Sequence, residues 1–114
     1  LCGIVNASIG VTCGIVYLHG GSFDQMCFAI KNLINTIAGM VCDGAKPSCA
    51  LKMSTGLYSA FVSAELAYHN EVVDATDGIS ESDVDCSIRN LGRLGHDGMD
   101  QVDDTVLDIM THKQ

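Results

Sequence analysis

The sequence predicts an all-α fold, a compact bundle of about five helices. Apolar residues recur at helical spacing along most of the chain, and no segment shows the sustained apolar–polar alternation of a half-buried strand. The Gly20-Gly21 pair, further single glycines and the only proline separate these periodic segments into lengths that suit helices. The 114 residues suit one domain, so we treat 1–114 as a single helical domain.

The first predicted helix covers about residues 2–18 and contains no charged residue. It has glycine at positions 3, 10 and 14, and each glycine costs a helix about 1 kcal/mol relative to alanine. Such a helix is stable only when neighbours pack closely on it, so we expect it at the centre of the bundle, packed on several sides. Gly20 and Gly21 end it. Its polar residues and glycines argue against a membrane span, which needs about 20 predominantly apolar residues.

The second predicted helix has the clearest signals. Ser22 and Gln25 form an S-x-x-Q capping box, and Gly39 ends the helix. One apolar stripe follows a 3.6-residue period and consists of Phe23, Met26, Cys27, Ile30, Leu33, Ile34 and Ile37. The polar residues off this stripe are Asp24, Lys31, Asn32 and Asn35.

Three more helices are expected at about 50–69, from Ser80 or Ser82 to about 95, and at about 97–112. An acidic linker separates the first two of them, with Asp77-Gly78 as a turn signal. The residues at helical spacing in these segments are Leu57, Phe61, Ala64 and Tyr68, then Val84, Ile88 and Leu91, and finally Met99, Val102, Val106, Ile109 and Met110.

Charge is unevenly distributed along the chain. Residues 1–64 carry three basic and two acidic side chains, whereas residues 65–114 carry three basic and twelve acidic ones. Without a basic patch to neutralise phosphates, nucleic-acid binding is not expected. The acidic half is interpreted as a solvated outer face. Six cysteines without the pattern of a small secreted scaffold favour the reducing cytoplasm.

The segment 40–50 is a loop that carries reactive residues. It holds Cys42, Asp43, Lys46 and Cys49 around a glycine and the only proline. Thiolates are soft ligands suited to iron–sulfur clusters or zinc, and two of them supply half a site. A further thiol would come from Cys2 or Cys13. The alternative is that all six cysteines are small buried hydrophobes.

Three stretches resemble a known family. They are residues 39–55, with Cys42-Asp43-Gly44-Ala45-Lys46 as the specific element, Tyr17–Gly21, and Ser87–Gly95. Together they resemble the serine dehydratase-like alpha-chain family, and its closest branch is that of the L-cysteine desulfidases. The resemblance implies that the chain is the C-terminal part of a longer iron–sulfur-dependent lyase.

The resemblance also implies a cofactor and its ligands. Enzymes of this family hold a [4Fe-4S] cluster with three cysteines, which here would be Cys42, Cys49 and a cysteine about forty residues upstream. Cys2 has that separation and Cys13 is the fallback. The open iron would act as a Lewis acid on the substrate. The lyase would convert L-cysteine to pyruvate, sulfide and ammonia, with L-serine as the alternative substrate.

Other polar residues near the loop are candidates for contact with the substrate. Asp43 and Lys46 are expected in the catalytic site, whereas Lys52, Ser54 and Thr55 are expected to bind substrate. In the family the base is thought to lie in the N-terminal part, so the partners include that missing part or subunit, along with a small amino acid. We also expect a homo-oligomer. The alternative from another class is a non-catalytic helical module that is structural or binds zinc.

Overall fold

The computed structural model describes all 114 residues and confirms the all-α prediction. Five helices follow one another: α1 (Gly3–Leu18), α2 (Phe23–Ile37), α3 (Cys49–Tyr68), α4 (Val84–Arg93) and α5 (Val102–Thr111). A single π-helical turn, Leu94–Gly98, continues α4. None of the helices is long and apolar enough to cross a membrane.

Helices α1, α2 and α3 pack against one another and form the core. The larger apolar cluster joins Cys2 and Val5 of α1 to Leu33 and Ile34 of α2, with Leu91 from α4. A smaller cluster lies around Val16 at the other end of α1. The molecule measures 50 × 28 × 15 Å, so its thinnest direction is not much more than the width of one helix.

The α2 helix begins at the predicted capping box, and two of its polar residues are buried along with its apolar ones. Ser22 accepts from the Gln25 backbone N–H, and the Gln25 side chain accepts from the Ser22 backbone N–H. Two residues expected off the stripe, Lys31 and Asn32, are buried. Lys31 donates to the Ser82 carbonyl at 2.9 Å, while Phe23, expected on the stripe, is exposed.

Asn32 connects the segment that follows α3 to the core. Its Nδ2 donates to the carbonyls of Ser63 (3.3 Å) and Glu71 (3.1 Å). Its Oδ1 accepts from the Val73 N–H at 2.9 Å. Burial of an amide is tolerated because its polar atoms find partners in the fold.

The three glycines of α1 do not mark close packing. Helix α1 packs against both α2 and α3, as expected, but a Cβ added at Gly3, Gly10 or Gly14 meets no atom within 4 Å, so the packing does not involve these positions. The close contact between α1 and α3 is instead at Gly56 of α3. A Cβ there would come within 2.5 Å of Ile4 Cγ2 and closer still to Ser8 Oγ.

The buried face of α3 consists of small residues. These are Gly56, Ser59, Ala60, Ser63, Ala64 and Ala67. Leu57 and Phe61, which the sequence pattern selects, are about half exposed, at 49% and 53%. Small side chains let α1 and α2 approach α3 closely, whereas the large apolar residues face outward.

Helix α5 packs differently from the others. None of its residues is buried, and it makes no close backbone approach to α1–α4. The stripe from Val102 to Met110 therefore does not enter the helical core. Met110 lies against Gly44, in the loop between α2 and α3.

We expect Gly56→Ala to destabilise the protein although alanine favours helix. The added methyl group overpacks the α1–α3 contact, and overpacking costs about 1–3 kcal/mol. Gly10→Ala is the matched control, because that position is open and gains up to about 1 kcal/mol from helix propensity. Urea unfolding followed by circular dichroism measures both. Equal stability of the two variants would contradict the close packing.

A candidate metal and substrate site at the cysteine loop

The cysteine loop, residues 40–48, connects α2 to α3 and is held at both ends by backbone hydrogen bonds. At its start, the Met40 carbonyl accepts from the Cys2 N–H at 2.9 Å. At its end, the Lys46 carbonyl accepts from the Cys49 N–H at 3.0 Å. Between them Gly44 has φ +100°, a conformation that other residues rarely adopt. The loop thus brings the start of α1 next to the start of α3.

Lys52, one turn into α3, connects that helix to the cysteine loop through two hydrogen bonds. Its Nζ donates to the Val41 carbonyl at 2.7 Å and to Asp43 Oδ1 at 2.6 Å. These two contacts flank Cys42. Lys46 forms an ion pair with the same Asp43 oxygen. The ammonium group of Lys52, expected to bind substrate, is therefore engaged within the protein.

The two lysines set the charge state of Asp43. Hydrogen bonds from Lys46 and Lys52 hold the pKa of the Asp43 carboxyl well below its usual range. The hydrogen bond to Asp43 in turn raises the pKa of Lys52, and the negative charge of Asp43 raises it further. At neutral pH the loop therefore carries one carboxylate between two ammonium groups.

The predicted thiol ligands lie in three segments that meet at this end of the molecule. Cys2 is buried at the N-terminus of α1, and Cys49 is the first residue of α3. The Cys2 N–H is bonded to the Met40 carbonyl, and Cys49 precedes Lys52 by about one turn of α3. Cys42 is exposed on the loop, and Cys49 Sγ is 3.6 Å from the Gly44 carbonyl.

Cys13, the fallback ligand, has a different neighbour. Burial raises the pKa of its thiol, and the charge of Cys27 raises it further. Cys13 is thus close to α2 and three turns of helix from Cys2. This favours Cys2 over Cys13 as the third thiol of the candidate site.

The donor chemistry of this site suits a thiolate-ligated cluster, although the ligands are not assembled. All six cysteines are free, and no group of three or more His, Cys, Asp or Glu side chains is arranged to hold a metal ion. Two helix N-termini and the Lys52 ammonium contribute positive charge beside Cys2 and Cys49. A cluster with thiolate ligands is anionic, so these charges complement it.

Ser54 and Thr55 lie on α3 outside the loop. Thr55 Oγ1 donates to the Leu51 carbonyl at 3.1 Å, the usual bond of a threonine within a helix. Ser54 lines a separate apolar groove of about 360 Å³ between α1 and α3, together with Ile4 and Met53. Neither hydroxyl forms a hydrogen bond to the cysteine loop.

A cavity of about 470 Å³ lies between the cysteine loop and α5. The loop contributes Asp43 and Lys46, and the C-terminal end of the chain contributes Val106, Ile109, Met110 and Lys113. The sequence pattern assigned the apolar residues of α5 to the core and gave Lys113 no role. Their position beside the loop follows the turn at 94–98, which separates α5 from α4.

We expect Asp43 to titrate well below an ordinary aspartate. A carboxyl whose pKa is lower in the folded state stabilises the fold at pH above its unfolded pKa, and this contribution is lost as pH falls through the folded value. Carbon-13 NMR of the Asp43 carboxyl measures the midpoint. Lys52→Met and Lys46→Met should each raise it. An ordinary midpoint in the unmodified protein would exclude the double ion pair.

Lys52→Met should also loosen the cysteine loop. Removal of the ammonium group leaves the Val41 carbonyl and Asp43 without this partner, so we expect hydrogen exchange of the amides of residues 41–44 to accelerate about tenfold. Lys46→Met is the matched comparison, because it removes an ion pair to Asp43 and leaves the bond to Val41. Equal acceleration in the two variants would assign no special role to Lys52.

Comparison with known proteins supports the resemblance. The pattern of the serine dehydratase alpha chain family matches residues 1–108. The UPF0597 protein of Phocaeicola vulgatus is 55% identical over 114 residues, which are all of this chain and 26% of that protein. A UPF0597 protein of Bacteroides thetaiotaomicron is 52% identical over 113 residues, with coverage of 99% and 26%. That of Fusobacterium nucleatum is 46% identical over 110 residues, with coverage of 96% and 26%.

The chain spans about a quarter of the length of these curated relatives. No solved structure matches it. Because the family pattern covers nearly all of its residues, the chain belongs to the serine dehydratase alpha chain family.

Proposed function

We propose that this chain is the cluster-holding part of an iron–sulfur-dependent amino-acid lyase that acts on L-cysteine. Membership of the serine dehydratase alpha chain family supports lyase chemistry of this type. The observation that carries the proposal is that the three segments bearing Cys2, Cys42 and Cys49 are joined at one end of the molecule. The Cys2 N–H is bonded to the Met40 carbonyl, and Lys52 of α3 is bonded to residues on both sides of Cys42.

Cys2, Cys42 and Cys49 would hold a [4Fe-4S] cluster in this proposal. When bound, such a cluster with three thiolate ligands supplies an open iron site with Lewis-acid character. Cys42 is exposed on a loop without regular structure, so its thiol is the one that can adjust its position to join the other two. Lys52 limits this adjustment because it holds the residues on either side of Cys42.

The residues of the loop have distinct roles in the proposed reaction. Asp43 is paired with two lysines, so it is proposed to order the loop and not to accept a proton from the substrate. Lys46 faces the cavity beside α5 and is proposed to attract the substrate. The base that removes the Cα proton is assigned to the part of the longer relatives that this chain does not cover.

The choice of L-cysteine over L-serine rests on the six-residue separation of Cys42 and Cys49, which resembles the desulfidase branch. The thiol is also the softer ligand for iron. L-Serine is the alternative substrate by the same chemistry. We assign the protein to a reducing cytoplasm, where its free thiols persist.

Anaerobic purification followed by iron and sulfide analysis tests the cluster. We expect about four iron and four sulfide per chain in the unmodified protein. Cys42→Ser and Cys49→Ser should abolish both, whereas Cys27→Ser should retain them. Cys2→Ser and Cys13→Ser decide the third ligand, and only the former should lose the cluster.

Two results would contradict the proposal. One is a colourless, iron-free anaerobic protein. The other is one zinc per chain without sulfide, which would identify a zinc-binding helical module. For substrate choice, the full-length Phocaeicola vulgatus relative is assayed for sulfide released from L-cysteine and for pyruvate formed from L-serine.

A further inference from the structure

The cavity beside the cysteine loop has the dimensions of a small-molecule site. Its volume of about 470 Å³ is the largest of the four cavities in the molecule and lies within the range of ligand pockets, about 300–1,000 Å³. One wall is the polar loop with Asp43 and Lys46. The other is the apolar side of α5, followed by Lys113.

Positive charge accumulates around this cavity in an otherwise acidic protein. The chain has a formal net charge of −8, yet three of its six basic residues, Lys46, Lys52 and Lys113, lie at the cavity or the loop that forms it. The only acidic residue in the lining is Asp43, which already pairs with Lys46 and Lys52. Lys113 has no ion-pair partner. The local balance therefore favours an anionic ligand.

The acidic residues of α5 do not cancel this charge inside the cavity. None of the three acidic residues of α5, Asp103, Asp104 and Asp108, lines the cavity. The side chains that α5 turns toward the loop are Val106, Ile109 and Met110. They form an apolar surface next to the unpaired ammonium of Lys113, which suits a short aliphatic molecule with one carboxylate.

We propose that this cavity binds the carboxylate of the small amino-acid substrate, with Lys113 as the principal partner and Lys46 as the second. The inference rests on the proposed function, since it identifies the bound amino acid with the substrate of the lyase. It assigns α5 a role as the wall that places the side chain of the amino acid against the cysteine loop. It also assigns to Lys113 the carboxylate-binding role that the sequence suggested for Lys52.

The test is a titration of the iron-free 114-residue chain with L-serine, in which nitrogen-15 NMR measures the binding. L-Serine should shift the amides of residues 43–46 and 106–113. Lys113→Gln should weaken binding about fivefold, the effect of one partly exposed ion pair. Arg89→Gln, an exposed charge change on α4 outside the cavity, should leave binding unchanged. L-Serinamide lacks the carboxylate. Its affinity for the unmodified chain should therefore be no higher than the affinity of L-serine for the Lys113→Gln variant.

Three outcomes would overturn the inference: equal binding of L-serinamide and L-serine, equal loss in the Lys113 and Arg89 variants, or acetate binding as tightly as L-serine. The last would indicate a general anion site without recognition of an amino acid. The outcome is separable from that of the proposed function. Loss of iron and sulfide binding would reject the cluster, whereas these titrations use protein without iron and report only on the cavity.

Discussion

The ammonium group of Lys52 joins the loop that carries Cys42 to the helix that begins with Cys49. Its bonds to the Val41 carbonyl and to the Asp43 carboxylate hold the residues on both sides of Cys42. The Cys2 N–H adds the start of α1 to the same arrangement through the Met40 carbonyl. A loop with a glycine at positive φ and no regular structure thereby acquires a defined path beside two helix N-termini.

This arrangement depends in turn on close packing between α1 and α3. The helices approach at Gly56, where Ser8 and Ile4 leave no room for a side chain. If the helices separated there, Cys2 would move away from the loop that contains Cys42. The packing of α1 on α3 at Gly56 thereby helps to keep Cys2 beside the loop.

Much of the architecture could be predicted because helix periodicity and capping are local properties. The α2 helix begins at its predicted capping box, and the number of helices is correct. The buried face of α3 was not predictable in the same way, since apolar size selects Leu57 and Phe61 while the packed residues are small. Large apolar residues indicate burial, but they do not tell which neighbouring element provides it.

The same distinction applies to the site. Cys42 and Cys49 are prominent in the sequence because they share one short loop. The partners of Lys52 could not be inferred, because a lysine has a long flexible side chain and its contacts depend on the path of the loop. Lys113 lies near the end of the chain, and its position beside the loop follows from the turn at 94–98. Long-range placement of this kind has no local sequence pattern.

The isolation of α5 from the other helices links its folding to the state of the loop. A ten-residue helix is marginal in water on its own, and this one has Gly44 and its neighbours as the surface against which it packs. A ligand in the proposed site between them would add contacts to α5. Occupancy and helicity of the last residues would then be thermodynamically coupled, and the far-ultraviolet signal of this short segment would report binding at the loop.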